Sequence, residues 1–85
     1  MKTFKFHSDP GHGWLAVKRQ LLIDLGILNT ISHCSFQKGK TIYLEEDCDA
    51  PKFLAAYKAK VGEDAVIKES GKDNLAIRTY RNFTI

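Results

Sequence analysis

The sequence predicts an α+β fold in a single domain, residues 1–85: an antiparallel sheet of about five to six strands with two helices on one face. Three observations predict it. Short runs that alternate apolar and polar residues recur along the chain, as half-buried strands do. Two segments space their apolar residues as a helix does. The strand-like runs come in consecutive pairs, which favours hairpins and an element order of ββαββαββ.

The first part of the chain is predicted to form a hairpin followed by a short helix. Residues 2–6 alternate, and Phe4 and Phe6 share one side. The Asp-Pro-Gly turn residues interrupt this strand, and residues 13–17 return as its partner. Residues 18–25 then carry apolar side chains at helical spacing and end at Gly26, a good helix terminator.

The segment 41–62 carries the clearest structural signal. Residues 31–37 and 41–44 are predicted to pair as a second hairpin. Asp49 is predicted to cap the helix that follows, and Gly62 to end it in a left-handed conformation. One helix face is apolar and carries Phe53, Leu54, Tyr57 and Val61. A last hairpin is predicted from residues 65–69 and 75–80, joined by a loop at 70–74.

Composition excludes some classes of protein. No apolar run approaches the roughly 18 residues of a membrane span, and the N-terminus lacks the apolar core of a signal peptide. We therefore expect a cytoplasmic protein, monomeric or homodimeric, that does not bind membranes. The two cysteines, Cys34 and Cys48, are expected to be reduced, buried thiols without a catalytic role. The net charge of +3 is mild.

The least ordinary segment is the loop HSDPGHGW at residues 7–14, which combines two histidines, an aspartate and a tryptophan. Such residues can bind a metal or transfer protons, but the spacing matches no complete ligand set or catalytic set. They can also cap a turn, and Trp14 can equally be a core residue. The predicted function is non-enzymatic contact with a protein partner, without a cofactor or metal. The predicted partner-binding residues are His7, Asp9, His12, Trp14, Glu45, Glu46 and Asp47.

Two alternatives remain open. The first is binding of single-stranded nucleic acid through Arg78, Tyr80 and Arg81, which interleave basic and aromatic side chains near the C-terminus. Other basic residues extend a possible phosphate-contacting surface: Lys2, Lys5, Lys18, Arg19, Lys38 and Lys40. The second alternative is a small metal-assisted hydrolase that uses the histidines and aspartate of the 7–14 loop.

Three runs of sequence, HSDPGHGWLAV, TIYLEEDCDAPKFLAAYKA and IRTYRNF, together resemble a family of small uncharacterised proteins encoded by bacteriophages and related mobile elements. The resemblance extends over most of the chain and includes no catalytic motif. It implies a context in which small proteins often inhibit or modulate a host protein by direct contact. The sequence prediction is therefore a small phage-type or mobile-element protein that binds a host component.

Overall fold

The protein, seen in a computed structural model that describes residues 2–73 and 75–84, contains a six-stranded mixed sheet and two α-helices. The α+β class is therefore confirmed. Two 3₁₀ helices, Leu28–Thr30 and Leu75–Thr79, complete the secondary structure of the described residues. The strands and α-helices are β1 Thr3–Ser8, β2 Gly13–Lys18, α1 Arg19–Asp24, β3 Phe36–Lys38, β4 Thr41–Glu45, α2 Ala50–Val61, β5 Val66–Asp73 and β6 Arg81–Asn82.

The sheet is mixed, not purely antiparallel as predicted. Its strand order is β5-β1-β2-β4-β3-β6, with β5 running parallel to β1 and the other neighbours antiparallel. The β1–β2 and β3–β4 hairpins are present as predicted. The predicted last hairpin is wrong, because β5 and β6 lie at opposite edges of the sheet. Helix α2 is the crossover from β4 to the far edge, so β5 runs in the same direction as β4 and therefore parallel to β1.

The hydrophobic core lies between one face of the sheet, here called the inner face, and the two α-helices. Phe4, Leu15, Val17, Ile42 and Leu44 point inward from β1, β2 and β4, as their alternation predicts. They pack in one cluster with the following helical residues: Leu22, Phe53 and Tyr57. The Phe4 ring meets the Phe53 ring edge-on, with centroids 5.1 Å apart. The opposite side of the sheet is here called the outer face.

Helix α2 begins and ends where its sequence signals predict, but one predicted capping contact is not made. Gly62 ends the helix with φ of 85°, a left-handed conformation that costs little for glycine. Asp49 occupies the N-cap position as predicted, and its carbonyl accepts from the Phe53 N–H, but its side chain makes no capping hydrogen bond, so that part of the prediction is wrong. Its carboxylate is instead drawn to hydroxyl groups of residues 32–35, a long-range interaction that sequence spacing does not reveal.

Two predicted strands differ in the structure. Residues 31–35 form turns, and only Phe36–Lys38 of that run pairs in the sheet. Residues 75–79 form a 3₁₀ helix, with Ile77 fully buried. The loop predicted at 70–74 is largely strand, because β5 continues to Asp73; Asn74 lies outside the described residues. In the segments 31–35 and 75–79, hydrogen bonds to the distant side chains of Asp49 and Asp9 compete with strand pairing.

Candidate functional site

The C-terminal segment that holds the 3₁₀ helix Leu75–Thr79 lies over one end of the outer face. Arg78 sits above the Trp14 ring at 5.3 Å, and the Tyr80 ring is 5.2 Å from that of Tyr43. Trp14 points to the outer face, yet it is only 1% exposed. The alternative prediction that Trp14 is a buried residue therefore agrees with the structure, and the segment above it is the reason.

The loop at residues 9–12 is organised by the Asp9 carboxylate. Its Oδ1 accepts hydrogen bonds from the backbone N–H groups of Gly11 and His12, each at 2.9 Å. The Asp9 N–H donates to the His12 carbonyl at 2.9 Å, which closes the turn. Asp9 is buried in the structure, so it acts within the loop and not as an exposed contact. The turn predicted from Asp-Pro-Gly is therefore present, and hydrogen bonds to the Asp9 side chain hold it.

Arg78 ties the C-terminal segment to this loop. Its Nε and Nη2 donate to the two oxygens of Asp9, at 2.5 Å and 3.2 Å. Nη2 also lies 2.8 Å from Nδ1 of His12. The hydrogen bonds from Arg78 hold the pKa of Asp9 well below its usual range, and the same contacts raise the pKa of Arg78. Most of the donor capacity of Arg78 is therefore directed to residues of this protein.

A cleft of about 420 Å³ opens beside Arg78, and it brings together four of the seven predicted partner-binding residues: His12, Trp14, Glu45 and Asp47. Glu45 accepts from the Asp47 N–H at 2.8 Å and 3.1 Å, so its carboxylate is already engaged. Glu46 is exposed and lies outside this cleft, near Phe6 and Leu54. His7 lies elsewhere on the outer face, against the Tyr43 ring at 5.8 Å. The structure therefore divides the predicted set among the cleft, the surface near Phe6 and Leu54, the outer face beside Tyr43, and the buried position of Asp9.

Both cysteines also line this cleft. Cys34 and Cys48 are exposed free thiols, so the expectation that they are buried is wrong. They lie in the turns at residues 32–35 and 45–49, which the chain places at the surface beside the end of β4. Their positions on turns, and not within a strand or helix, account for the exposure.

A groove that extends from the outer face to α1 is lined by basic and polar residues together with the apolar residues Phe4, Val17 and Leu21. This first groove encloses about 640 Å³ and contains Lys2, Lys5 and Lys18 together with His7 and Tyr43. Its described lining includes no Asp or Glu. Lys68 of β5 is paired with Lys5 in register, so it adds a further cation to the same side of the sheet. Lys18 also contacts the Thr41 hydroxyl at 3.3 Å.

A second groove lies at the β3 and β6 end of the sheet. Its lining includes Lys38, Arg81 and Tyr80, and again no carboxylate among the described lining residues. The Nζ of Lys38 lies 4.9 Å above the Tyr80 ring. Tyr80 contacts Tyr43, which lines the first groove, so an aromatic pair connects the two basic grooves.

The histidine and the tyrosine of the first groove, His7 and Tyr43, are both uncharged at neutral pH. Partial burial, and then the nearby charge of Lys5, lower the pKa of His7, so this histidine is neutral and the lysines supply the charge. Partial burial, followed by the influence of Tyr80, raises the pKa of Tyr43, so its phenol stays protonated. Two half-buried tyrosines flanked by cations can stack with a planar ring and neutralise an anion at the same time.

The amino-acid sequence predicts several residues of this surface but not their arrangement. Tyr80 and Arg81 of the nucleic-acid alternative line the second groove, whereas Arg78 is bound to Asp9. Tyr43 was treated only as a strand residue, and its contact with Tyr80 was not predicted. The signal was the alternation of residues 41–45, which places Tyr43 on the side opposite the core. No signal indicated that residues 75–80 would lie over that side.

Within residues 2–73 and 75–84, no group of three or more His, Cys, Asp or Glu side chains is arranged to hold a metal ion. In the same part of the chain, no helix has the length and apolarity needed to cross a bilayer.

Comparison with protein-family models, curated proteins and solved structures gives no match to this chain.

Proposed function

We propose that the protein binds single-stranded nucleic acid along the outer face of its sheet. The observation that carries this proposal is the pair of grooves with five cations and no carboxylate in their described lining, connected by Tyr43 and Tyr80. The cations are Lys2, Lys5, Lys18, Lys38 and Arg81. Open sheets that present aromatic rings between cations bind single strands by stacking bases and contacting phosphates.

The physical division of roles follows from the geometry. The lysines are exposed and flexible, so they suit phosphate contacts that do not depend on sequence. The tyrosine rings are held by each other and by their neighbours, so they offer a preformed stacking surface. Stacking contributes about 1–3 kcal/mol per base, and it tolerates any base. We therefore expect weak sequence preference and affinity that falls steeply with salt.

The test is fluorescence anisotropy with labelled oligothymidylate and oligouridylate at several salt concentrations. Removing two cations by Lys5→Gln with Lys18→Gln should weaken binding of both probes. The slope of log K against log salt should become shallower by about 0.7 per lysine, or about 1.4 in total. Tyr43→Leu should weaken binding without changing this slope, because it removes a stacking surface and no charge.

The matched control is Lys58→Gln with Lys60→Gln on α2, an element that packs on the inner face. Both lysines are exposed, so this variant loses the same net charge on the other side of the molecule. It should bind nearly as well as the unchanged protein. Equal weakening by both double variants would show that net charge, and not the outer face, drives binding. Absence of binding to either probe at low salt would refute the proposal.

Contact with a protein partner is the second candidate. It is favoured by the cleft that brings His12, Glu45 and Asp47 together at the surface beside Arg78. A host protein as that partner, and a phage or mobile-element origin, remain predictions from the sequence. Variants His12→Ala and Asp47→Ala test this candidate separately, because neither residue lines the two basic grooves. If both variants retain the binding partner found with the unchanged protein, the cleft is not the contact.

A further inference from the structure

We propose that Cys34 and Cys48 form a reversible dithiol–disulfide couple, a modification site that low-molecular-weight disulfides such as oxidised glutathione can oxidise. The inference is independent of nucleic-acid binding, since neither cysteine lines the two basic grooves. It rests on two exposed thiols that separate parts of the fold hold beside each other.

The two turns that carry the cysteines are joined by the buried carboxylate of Asp49. Asp49 accepts hydrogen bonds from the hydroxyls of Ser32 at 2.8 Å and Ser35 at 2.5 Å, and from the Ser32 N–H at 3.1 Å. Cys34 lies between these serines, and Cys48 immediately precedes Asp49. The Ser35 hydroxyl also accepts from the Glu45 N–H at 3.0 Å, which attaches the first turn to the end of β4.

This arrangement brings both cysteines to the lining of one cleft, beside His12 and Arg78. Both residues are exposed, so a small disulfide can reach either sulfur. A disulfide requires Cα atoms about 4.4–6.8 Å apart, and the anchoring of both turns through Asp49 favours such a spacing.

The oxidation is a two-step thiol–disulfide exchange. The Cys34 thiolate attacks one sulfur of oxidised glutathione, forms a mixed disulfide and releases one glutathione thiolate, which takes up the proton lost by Cys34. The Cys48 thiolate then attacks the Cys34 sulfur and releases the second glutathione in the same way. Both protein thiols lose their hydrogens, and one molecule of glutathione disulfide becomes two of glutathione. Excess reduced glutathione reverses both steps.

The order of attack follows from the environment of Cys48. The interaction with the neighbouring Cys34 thiol, and then desolvation, raise the pKa of Cys48 to about 11, with the nearby carboxylates of Glu45 and Asp49 adding to the effect. Because the raised pKa disfavours the Cys48 thiolate, Cys34 is the first nucleophile. Once Cys34 is in a mixed disulfide, the charge of its thiolate no longer opposes the ionisation of Cys48, which then attacks the mixed disulfide.

The experiment equilibrates the purified protein in glutathione redox buffers, traps remaining thiols with a maleimide and measures the intact mass. We expect the loss of both trappable thiols together, with a mass lower by two hydrogen atoms and no attached glutathione. Cys34→Ser and Cys48→Ser each leave one thiol, so they serve as controls and should accumulate only the glutathione adduct.

A comparison with unfolded protein tests whether the fold is responsible. In a flexible chain, the effective concentration of one cysteine at the other is about millimolar. In the folded protein it should be about tenfold higher or more. The proposal is overturned if the folded protein stays reduced or carries glutathione on both cysteines in buffers that modify the single variants. Equal effective concentrations in the folded and urea-unfolded protein would overturn it as well.

Discussion

Replacing Asp49 by alanine should destabilise the protein strongly, because this carboxylate joins three parts of the chain. It is fully buried and accepts from both serine hydroxyls of the 32–35 turn. It also pairs with Lys52 at 3.1 Å. Alanine removes both carboxylate oxygens and leaves the buried Ser35 hydroxyl without an acceptor for its proton.

The size of the effect can be worked out from these contacts. Hydrogen bonds to a charged group contribute about 1.5–3 kcal/mol each, so the two hydroxyl bonds at the low end give about 3 kcal/mol. The Lys52 side chain is 43% exposed, so its ion pair adds about 0–1 kcal/mol. We expect a loss of about 3–4 kcal/mol in the free energy of unfolding. For a domain of this size, 3 kcal/mol corresponds to a decrease in Tm of about 12–24 °C.

The assay is urea denaturation followed by the fluorescence of the single tryptophan, supported by thermal unfolding. Asp47→Ala is the matched control, since Asp47 is an exposed carboxylate in the same turn. It should change the unfolding free energy by about 0.5 kcal/mol or less. A loss below about 1 kcal/mol for Asp49→Ala, or an equal loss for Asp47→Ala, would refute this account of the turn.

Acid provides a second measurement of the same interaction. Burial alone would raise the pKa of Asp49, but hydrogen bonds from Ser35 and Ser32 outweigh it and lower the pKa below its ordinary value. A carboxyl group whose pKa is lower in the folded state stabilises the protein above its unfolded pKa, near 4, and loses this effect as pH falls further. The difference between the unchanged protein and Asp49→Asn should therefore be largest at neutral pH and shrink below about pH 4.

Two further predictions concern the loop at residues 9–13. Gly13→Ala should lower the free energy of unfolding by about 1–3 kcal/mol, because an added Cβ would lie 2.6 Å from Cε2 of Phe6. Gly11→Ala is the control: the nearest neighbour of its Cβ would be 3.6 Å away, so it should unfold like the unchanged protein. Equal urea midpoints for the two variants would contradict this prediction. Asp9→Asn should speed amide hydrogen exchange in residues 77–80 but not in α2, because it weakens the hydrogen bonds that hold Arg78 to residue 9. Unchanged exchange at the Tyr80 N–H, which donates to the Ile77 carbonyl, would contradict this role of Asp9.

Local signals predicted the parts of the fold that depend on neighbouring residues. The alternation in β1, β2 and β4 correctly divided inner from outer side chains, because strand geometry sends successive residues to opposite faces. Gly62 ended α2 as predicted, because a left-handed terminus depends mainly on the residue itself. These features need no knowledge of the rest of the molecule.

Features that depend on distant residues were not predictable in the same way. Asp49 is a residue type whose carboxylate often caps a helix, but hydroxyl groups of residues 14 and 17 positions away hold this carboxylate instead. Residues 75–80 alternated like a strand, yet the contacts of Arg78 with Asp9, a residue 69 positions away, accompany a 3₁₀ helix. In each case an ionic or hydrogen-bonded partner from another part of the chain competes with the local preference.

The amino-acid sequence alone determined the α+β class, the two hairpins, the core residues of the strands and the presence of basic and aromatic residues near the C-terminus. Only the tertiary structure decided that β5 lies parallel to β1, that Trp14 is covered and that Tyr43 and Tyr80 meet between two basic grooves. The physical reason is range. Backbone preferences and side-chain alternation act over a few residues, whereas the candidate binding surface is assembled by contacts between segments that only the folded chain brings together.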